Sequence, residues 1–171
     1  MSEQLVTTLL DKYGTTFAEQ AHITLKNEPS PLFRLLTLSM LRAKPIGADI
    51  AVQALLGLNK EDLDTAENVH SASRRTMIAA LQKSGSRSLR RKLGDLPARG
   101  HRACAQRIGR GPPRSTNFRK YQKRFIENQW CGFPCADMFA RNVQAVWPAL
   151  APALNTKAIQ GAKRLWLSAG P

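Results

Sequence analysis

The sequence predicts an all-α protein, from three observations. Apolar residues recur three and four apart through both ends of the chain, β-branched residues are sparse, and no stretch alternates apolar with polar as a half-buried strand would. At 171 residues the chain can bury one core or two small helical lobes sharing a cleft.

Taking the elements in order, Ser2 caps a first helix whose Leu5, Val6, Leu9 and Leu10 share a face, and Gly14 stops it. Thr16 followed by Glu19 is a capping box for a short second helix. Asn27 to Ser30 reads as a turn, and Pro31 suits the first position of a third helix carrying Leu32, Leu35, Leu36, Ser39 and Met40. That helix is apolar on most sides, so it is expected to be the central buried one. Pro45 and Gly47 interrupt the pattern before a fourth helix, marked by Ile46, Ile50, Ala54, Leu55 and Leu58, with Asp49 in its first turn. A fifth is expected to start with an acidic turn between Asn59 and Asn68. A sixth spans about Ser73 to Gln82, with Met77, Ile78 and Leu81 inward and Gly85 as its stop.

Farther on, Phe118, Tyr121, Phe125 and Ile126 mark the apolar face of a basic helix whose other face carries Lys120, Lys123 and Arg124. Pro134 opens the next, with Met138, Phe139, Val143, Val146 and Trp147 along one side and Pro148 at its end. Thr156 caps a last helix containing Ile159, Ala162 and Leu165. The chain therefore divides into an N-terminal helical part (1–85), a basic irregular segment (86–116) and a C-terminal helical part (117–171).

Charge is distributed very unevenly. Residues 1–83 hold nine cations and nine acids, whereas residues 84–124 hold thirteen cations against Asp95 alone, which accounts for most of the net +14. Three readings of this stretch stand side by side. Its arginines, with Arg90, Arg91 and Lys92 adjacent, can neutralise nucleic-acid phosphates and release their counterions. Its glycines and prolines, with few apolar residues, suit a disordered segment. Its abrupt change of character, rich in Arg, Gly, Pro, Ala and Ser, also suits GC-rich DNA translated out of frame.

Composition excludes other classes. No run reaches the roughly 18 apolar residues of a membrane helix, since Arg34, Arg42 and Lys44 interrupt the most apolar region, and the N-terminus lacks a signal pattern. A cytoplasmic protein without membrane contact is expected. Cys104, Cys131 and Cys135 are an odd number without a disulfide framework and are expected to be free thiols. Cys131 and Cys135 can share a helix face, but two ligands do not make a metal site, and none is expected. His22, His70 and His101 have no carboxylate or serine at a useful spacing. Trp130, Trp147 and Trp166 could stack on bases, although Trp147 sits at helical spacing from Val143, as a core residue would.

Two stretches carry a family resemblance. In residues 31–55 the apolar run Leu32, Phe33, Leu35, Leu36 and Leu38 leads through Lys44-Pro45-Ile46-Gly47 into Ile50, Ala54 and Leu55. It resembles the early helices of endonuclease III-like proteins. Residues 136–148, Ala-Asp-Met-Phe-Ala-Arg-Asn-Val-Gln-Ala-Val-Trp-Pro, continuing to Lys157, Gly161, Ala162, Lys163, Arg164 and Leu165, resemble a small bacterial branch of the same helix-hairpin-helix base-excision glycosylase and endonuclease superfamily. The resemblance implies a helix-hairpin-helix glycosylase-type bundle, incomplete in the middle, that binds duplex DNA in DNA repair.

The same resemblance shows what is missing. In that family a Leu-x-Gly-Ile/Val-Gly hairpin presents backbone N–H groups to a DNA phosphate, glycine allowing the close approach. Here the place reads Asn128-Gln-Trp-Cys-Gly-Phe-Pro-Cys-Ala136, and only Gly132 remains. The family's catalytic aspartate follows the hairpin, and its bifunctional members add a nucleophilic lysine. No acid follows Asp137, and no lysine occupies the hairpin. Asp137 is the one acidic candidate, and a helix N-terminus favours a carboxylate there on electrostatic grounds alone.

Lys44 falls near where relatives insert a polar side chain into the duplex; a solvated loop lysine is the plainer account. Lys157 and Lys163 are expected on the last helix, facing solvent. An iron–sulfur cluster of the family's type needs four cysteines near the C-terminus, and residues 136–171 contain none, so no cofactor is expected. The sequence thus points to a duplex-DNA-binding repair-type protein with impaired catalysis. The alternatives are a non-catalytic nucleic-acid-binding protein using its basic segment, or a frame-damaged product without function.

Overall fold

The structure, a computed structural model, describes residues 2–83 and 132–167. Among the described residues every regular element is helical and none is a strand, so the all-α expectation holds. The basic irregular segment, the basic helix expected after it, and with them Arg90, Arg91, Lys92, Lys120, Lys123 and Arg124, lie outside the described residues.

Helix α1 (Ser2–Tyr13) ends at Gly14, whose N–H bonds to the Leu10 carbonyl at 2.7 Å. A Cβ at Gly14 would lie 2.3 Å from that oxygen, so only glycine allows the chain to close the last turn there. Helix α2 (Phe17–Gln20) opens on the expected capping box. The Thr16 hydroxyl accepts from the Glu19 N–H at 3.2 Å, and a Glu19 carboxylate oxygen accepts from the Thr16 N–H at 2.6 Å.

Helix α3 (Pro29–Arg42) starts two residues earlier than the sequence suggests, with Glu28 as N-cap and Pro29 in the first turn. Both Pro29 and Pro31 fit within that turn because its N–H groups have no intrahelical partners. Nine consecutive or near-consecutive side chains, from Leu32 to Leu41 with Arg34 excepted, are buried, which makes α3 the central helix as expected. Helix α4 (Ala48–Lys60) packs on one side of it and α7 (Phe133–Val143) on another, while α6 (Arg74–Lys83) packs on α4.

The expected helix starting near Asn59 is corrected. Helix α4 continues to Lys60, Asp62 takes a left-handed turn at φ 56°, and α5 (Ala66–Ser71) begins only after Thr65, whose hydroxyl accepts the Asn68 N–H at 3.2 Å. The acidic cluster therefore forms a turn rather than a first helical turn, and Asp64 pairs across the fold with Arg34.

The two ends of the chain share one core. Phe139, Val143, Trp147 and Leu150 join Leu32, Leu35, Leu36, Leu55 and Leu81 in a single buried cluster. Phe139 and Trp147 meet edge to face, with centroids 5.8 Å apart at 69°. The Trp147 indole N–H then donates to Asn27 Oδ1 at 2.7 Å, joining residues 120 positions apart. Helix α7 itself stops at Val143, so Val146 and Trp147 lie in the following turn rather than on the helix. Pro148 opens a 3-10 turn, Pro148–Leu150. Helix α8 (Thr156–Arg164) is capped by Asn155, one residue before the expected Thr156, and Leu165 lies just past its end. No helix among the described residues is long and apolar enough to cross a membrane.

Candidate nucleic-acid interface

Gly132 is the N-cap of α7, exposed, with φ −71° and ψ 179°, and it offers no side chain to cap the helix. Pro134 has no N–H, and the amides of Cys135 and Ala136 both bond to the Gly132 carbonyl at 3.1 Å. At most the amides of Gly132 and Phe133 are left to meet an anion at this end. A Cβ at Gly132 would touch nothing closer than Pro134 Cδ, at 3.7 Å, so the position does not require glycine for its own packing.

Asp137 lies one turn farther in, half-buried, and not in the first turn of its own helix. Its Oδ2 accepts from the Asn155 side-chain amide at 2.9 Å, while Asn155 Oδ1 accepts the Ala158 N–H at 2.8 Å. The carboxylate thus holds the capping residue of α8 in place, and its negative charge stands behind the positive end of that helix. The N-terminus that Asp137 serves is that of α8, a relation that sequence spacing could not reveal.

Lys44 is exposed in the short loop between α3 and α4, where its backbone N–H bonds to the Leu41 carbonyl at 3.1 Å. Its neighbour Arg42 is committed elsewhere: the guanidinium lies over the Phe17 ring, 4.9 Å from its centroid, and donates to the Ile46 carbonyl at 3.3 Å. Lys44 is accordingly the cation this loop offers to solvent.

Other exposed cations have no counterpart in the sequence-based site. Arg74 and Arg75, beside Ile78 and Gln82, line a shallow depression on the outer side of α6. Lys157, Lys163 and Arg164 are exposed on α8, as expected of the two lysines, and Trp166 just beyond it is 93% exposed. Trp147, by contrast, is in the core as its spacing indicated. Adjacent arginines and a terminal basic helix were visible in the sequence, and spacing marked Trp147 as core, but nothing local marked Trp166 as exposed.

A groove of about 770 Å³ runs between the α2 turn and the end of α7, lined by Glu19, His22, Thr24, Arg141, Asn142 and Gln144. Most of its polar groups already serve the fold. Glu19 closes the capping box; the Thr16 backbone N–H, followed by the Thr16 hydroxyl, holds its carboxyl below the ordinary glutamate range. The Asn142 amide donates to the Met138 carbonyl at 2.9 Å, and Gln144 bridges the Arg141 carbonyl and the Ala153 N–H. The hydroxyl and carboxylate that do meet in this groove, Thr16 Oγ1 and Glu19 Oε2 at 3.0 Å, are both engaged in the capping box.

Cys135 is fully buried and disulfide-bonded, which corrects the expectation of three free thiols; Cys104 and Cys131 lie outside the described residues. Comparison with protein-family models, with curated proteins and with solved structures finds no match to this chain.

Proposed function

We propose that the chain is a DNA-repair-type protein of helix-hairpin-helix glycosylase descent that binds duplex DNA through basic surfaces and does not itself excise bases. Its support is the resemblance carried by residues 31–55 and 136–165, together with the segregation of charge. Thirteen cations against one acid in residues 84–124 form an electrostatic footprint for phosphates, and four cations with no acid follow Asp137. The observation that carries the loss of catalysis is the hydrogen bond between Asp137 and Asn155. Base excision requires a carboxylate free to face the cationic sugar as the glycosidic bond breaks, and this one orients a helix cap.

A salt titration of duplex binding tests the first half. Binding should be independent of sequence and fall steeply with salt. Replacing Arg90, Arg91 and Lys92 with alanine should flatten the slope by about 0.9 for each phosphate that is no longer neutralised. An unchanged slope would place the interface elsewhere, with Gly132 and Lys44 next in line. For the second half, the purified chain should cleave neither a panel of damaged-base duplexes nor an abasic-site duplex. Borohydride trapping of a covalent adduct, abolished by changing one lysine or by Asp137→Asn, would overturn it.

A further inference from the structure

The end of α8 is built as a Schellman turn. The Leu167 N–H bonds to the Ala162 carbonyl at 2.9 Å and the Trp166 N–H to the Lys163 carbonyl at 3.2 Å. This turn needs a left-handed residue after the helix, a place that glycine normally fills because it has no Cβ to clash. Here Trp166 occupies it, at φ 55°. The positions that make the usual apolar contact of such a turn are those of Leu167 and Ala162, both half-buried, and Trp166 is not one of them. The largest side chain the chain could place there sits in a strained conformation and is 93% exposed, an arrangement that does nothing for the fold.

Its surroundings indicate what it meets. Lys163 and Arg164 precede it and Lys157 lies at the other end of the same helix, all exposed, and no acid follows Asp137 in the chain. The apolar side of α8, Ile159 and Ala162, is half-buried and not offered outward. Besides the tryptophan, the large exposed apolar residues among the described residues of the C-terminal part are Leu154 (37%), Leu165 (41%) and, at the start of α7, Phe133 (61%), of which only Leu165 directly adjoins α8 and the tryptophan. That is too little apolar surface for a helix lying in a bilayer, which needs a whole apolar face. A single aromatic face flanked by cations is what an unpaired nucleic-acid base requires: stacking on the indole, with phosphates on either side neutralised by Lys and Arg.

We infer that Trp166 is a stacking platform for an unpaired base of a nucleic acid, with Lys163 and Arg164 binding its flanking phosphates. This rests on the nucleic-acid reading above and adds to it a preference for unstacked bases and the residue that confers it.

The test measures binding of a labelled single-stranded oligothymidylate, a duplex of equal length, and phosphatidylglycerol vesicles to the full chain and its variants. Trp166→Gly, which suits the left-handed backbone, should leave the thermal midpoint unchanged or raise it, and should weaken single-strand binding about fivefold or more. Trp166→Phe should retain most of the affinity. Lys163→Ala with Arg164→Ala should weaken both nucleic acids and reduce the salt slope by roughly one to two. Single-strand binding that is unaltered in Trp166→Gly overturns the platform while leaving duplex binding by the wild type intact as a separate result. Single-strand binding that depends on Trp166, without any duplex binding, supports the platform and sinks the duplex reading. An effect of Trp166→Gly confined to vesicles would overturn the platform and assign the surface to a membrane instead.

Discussion

Helices α3 and α8 begin from similar local signals and end in opposite environments. Both carry apolar residues at helical spacing and both carry two or three cations, yet α3 buries nine side chains and α8 buries none. The cations follow suit. Arg34 pairs with Asp64, and Arg42 lies on Phe17 while donating to the Ile46 carbonyl, so the charges of α3 are used inside the fold. Lys157, Lys163 and Arg164 remain exposed on α8. A basic residue therefore says little about function until its surroundings are known; the same residue types brace the core on one helix and face solvent on the other.

The comparison can be broken most forcefully at α3. Leu36 is fully buried on the helix that α4 and α7 both pack against, so Leu36→Ala should cost about 2–5 kcal/mol, through the forfeited transfer energy and the cavity left behind. Chemical denaturation would measure this, and a cost near zero would mean that the central helix is not the core. On α8, Lys163→Ala should change the same stability by less than about 0.5 kcal/mol.

A smaller effect sharpens the boundary between the two helices. Asn155→Ala removes the cap of α8 together with its hydrogen bond to Asp137, and should cost about 0.5–2 kcal/mol. Asp137→Asn should cost less, since an amide can still accept from Asn155, and should leave any DNA affinity unchanged. If Asp137→Asn altered DNA chemistry while stability stayed constant, the structural assignment of that carboxylate would be wrong.

The smallest effect belongs to α2. The Glu19 carboxyl is held below its ordinary range by the Thr16 backbone N–H and then by the Thr16 hydroxyl. A depressed folded-state pKa contributes stability above the unfolded value, near 4.5, and loses it as the pH falls through the folded value. An acid titration of stability should thus show a slight decline below about pH 4.5 that disappears in Glu19→Gln, and the change should be small because the group is fully exposed.

Much of the helical order was legible in the residues. Thr16 and Glu19 announced their capping box, Gly14 the end of α1, and the run from Leu32 to Met40 a helix apolar enough to be central. These are local signals, settled within one or two turns by hydrogen bonding and by the period of 3.6 residues. Helix boundaries were less legible where two signals overlapped. The acidic residues Glu61, Asp62 and Asp64 suit a helix N-terminus, yet Asp62 makes a left-handed turn and Asp64 finds Arg34, thirty residues away. The site was least legible. Spacing from Val143 identified Trp147 as core, but nothing near Trp166 announced its exposure, and Asp137 looked like the acid of its own helix.

The residues alone were enough to predict helices in the described parts of the chain, α3 as their centre, and a positive charge concentrated away from the N-terminal part. Periodicity, caps and charge counts depend only on neighbours along the chain. Tertiary structure alone decided that Asp137 supports Asn155, that Trp147 reaches Asn27, that Cys135 is bonded, and that Trp166 stands in solvent. The two hydrogen bonds join residues 18 and 120 positions apart, and the solvent exposure of a side chain depends on what the rest of the fold leaves uncovered. Such contacts exist only once helices have packed, so no local pattern can encode them.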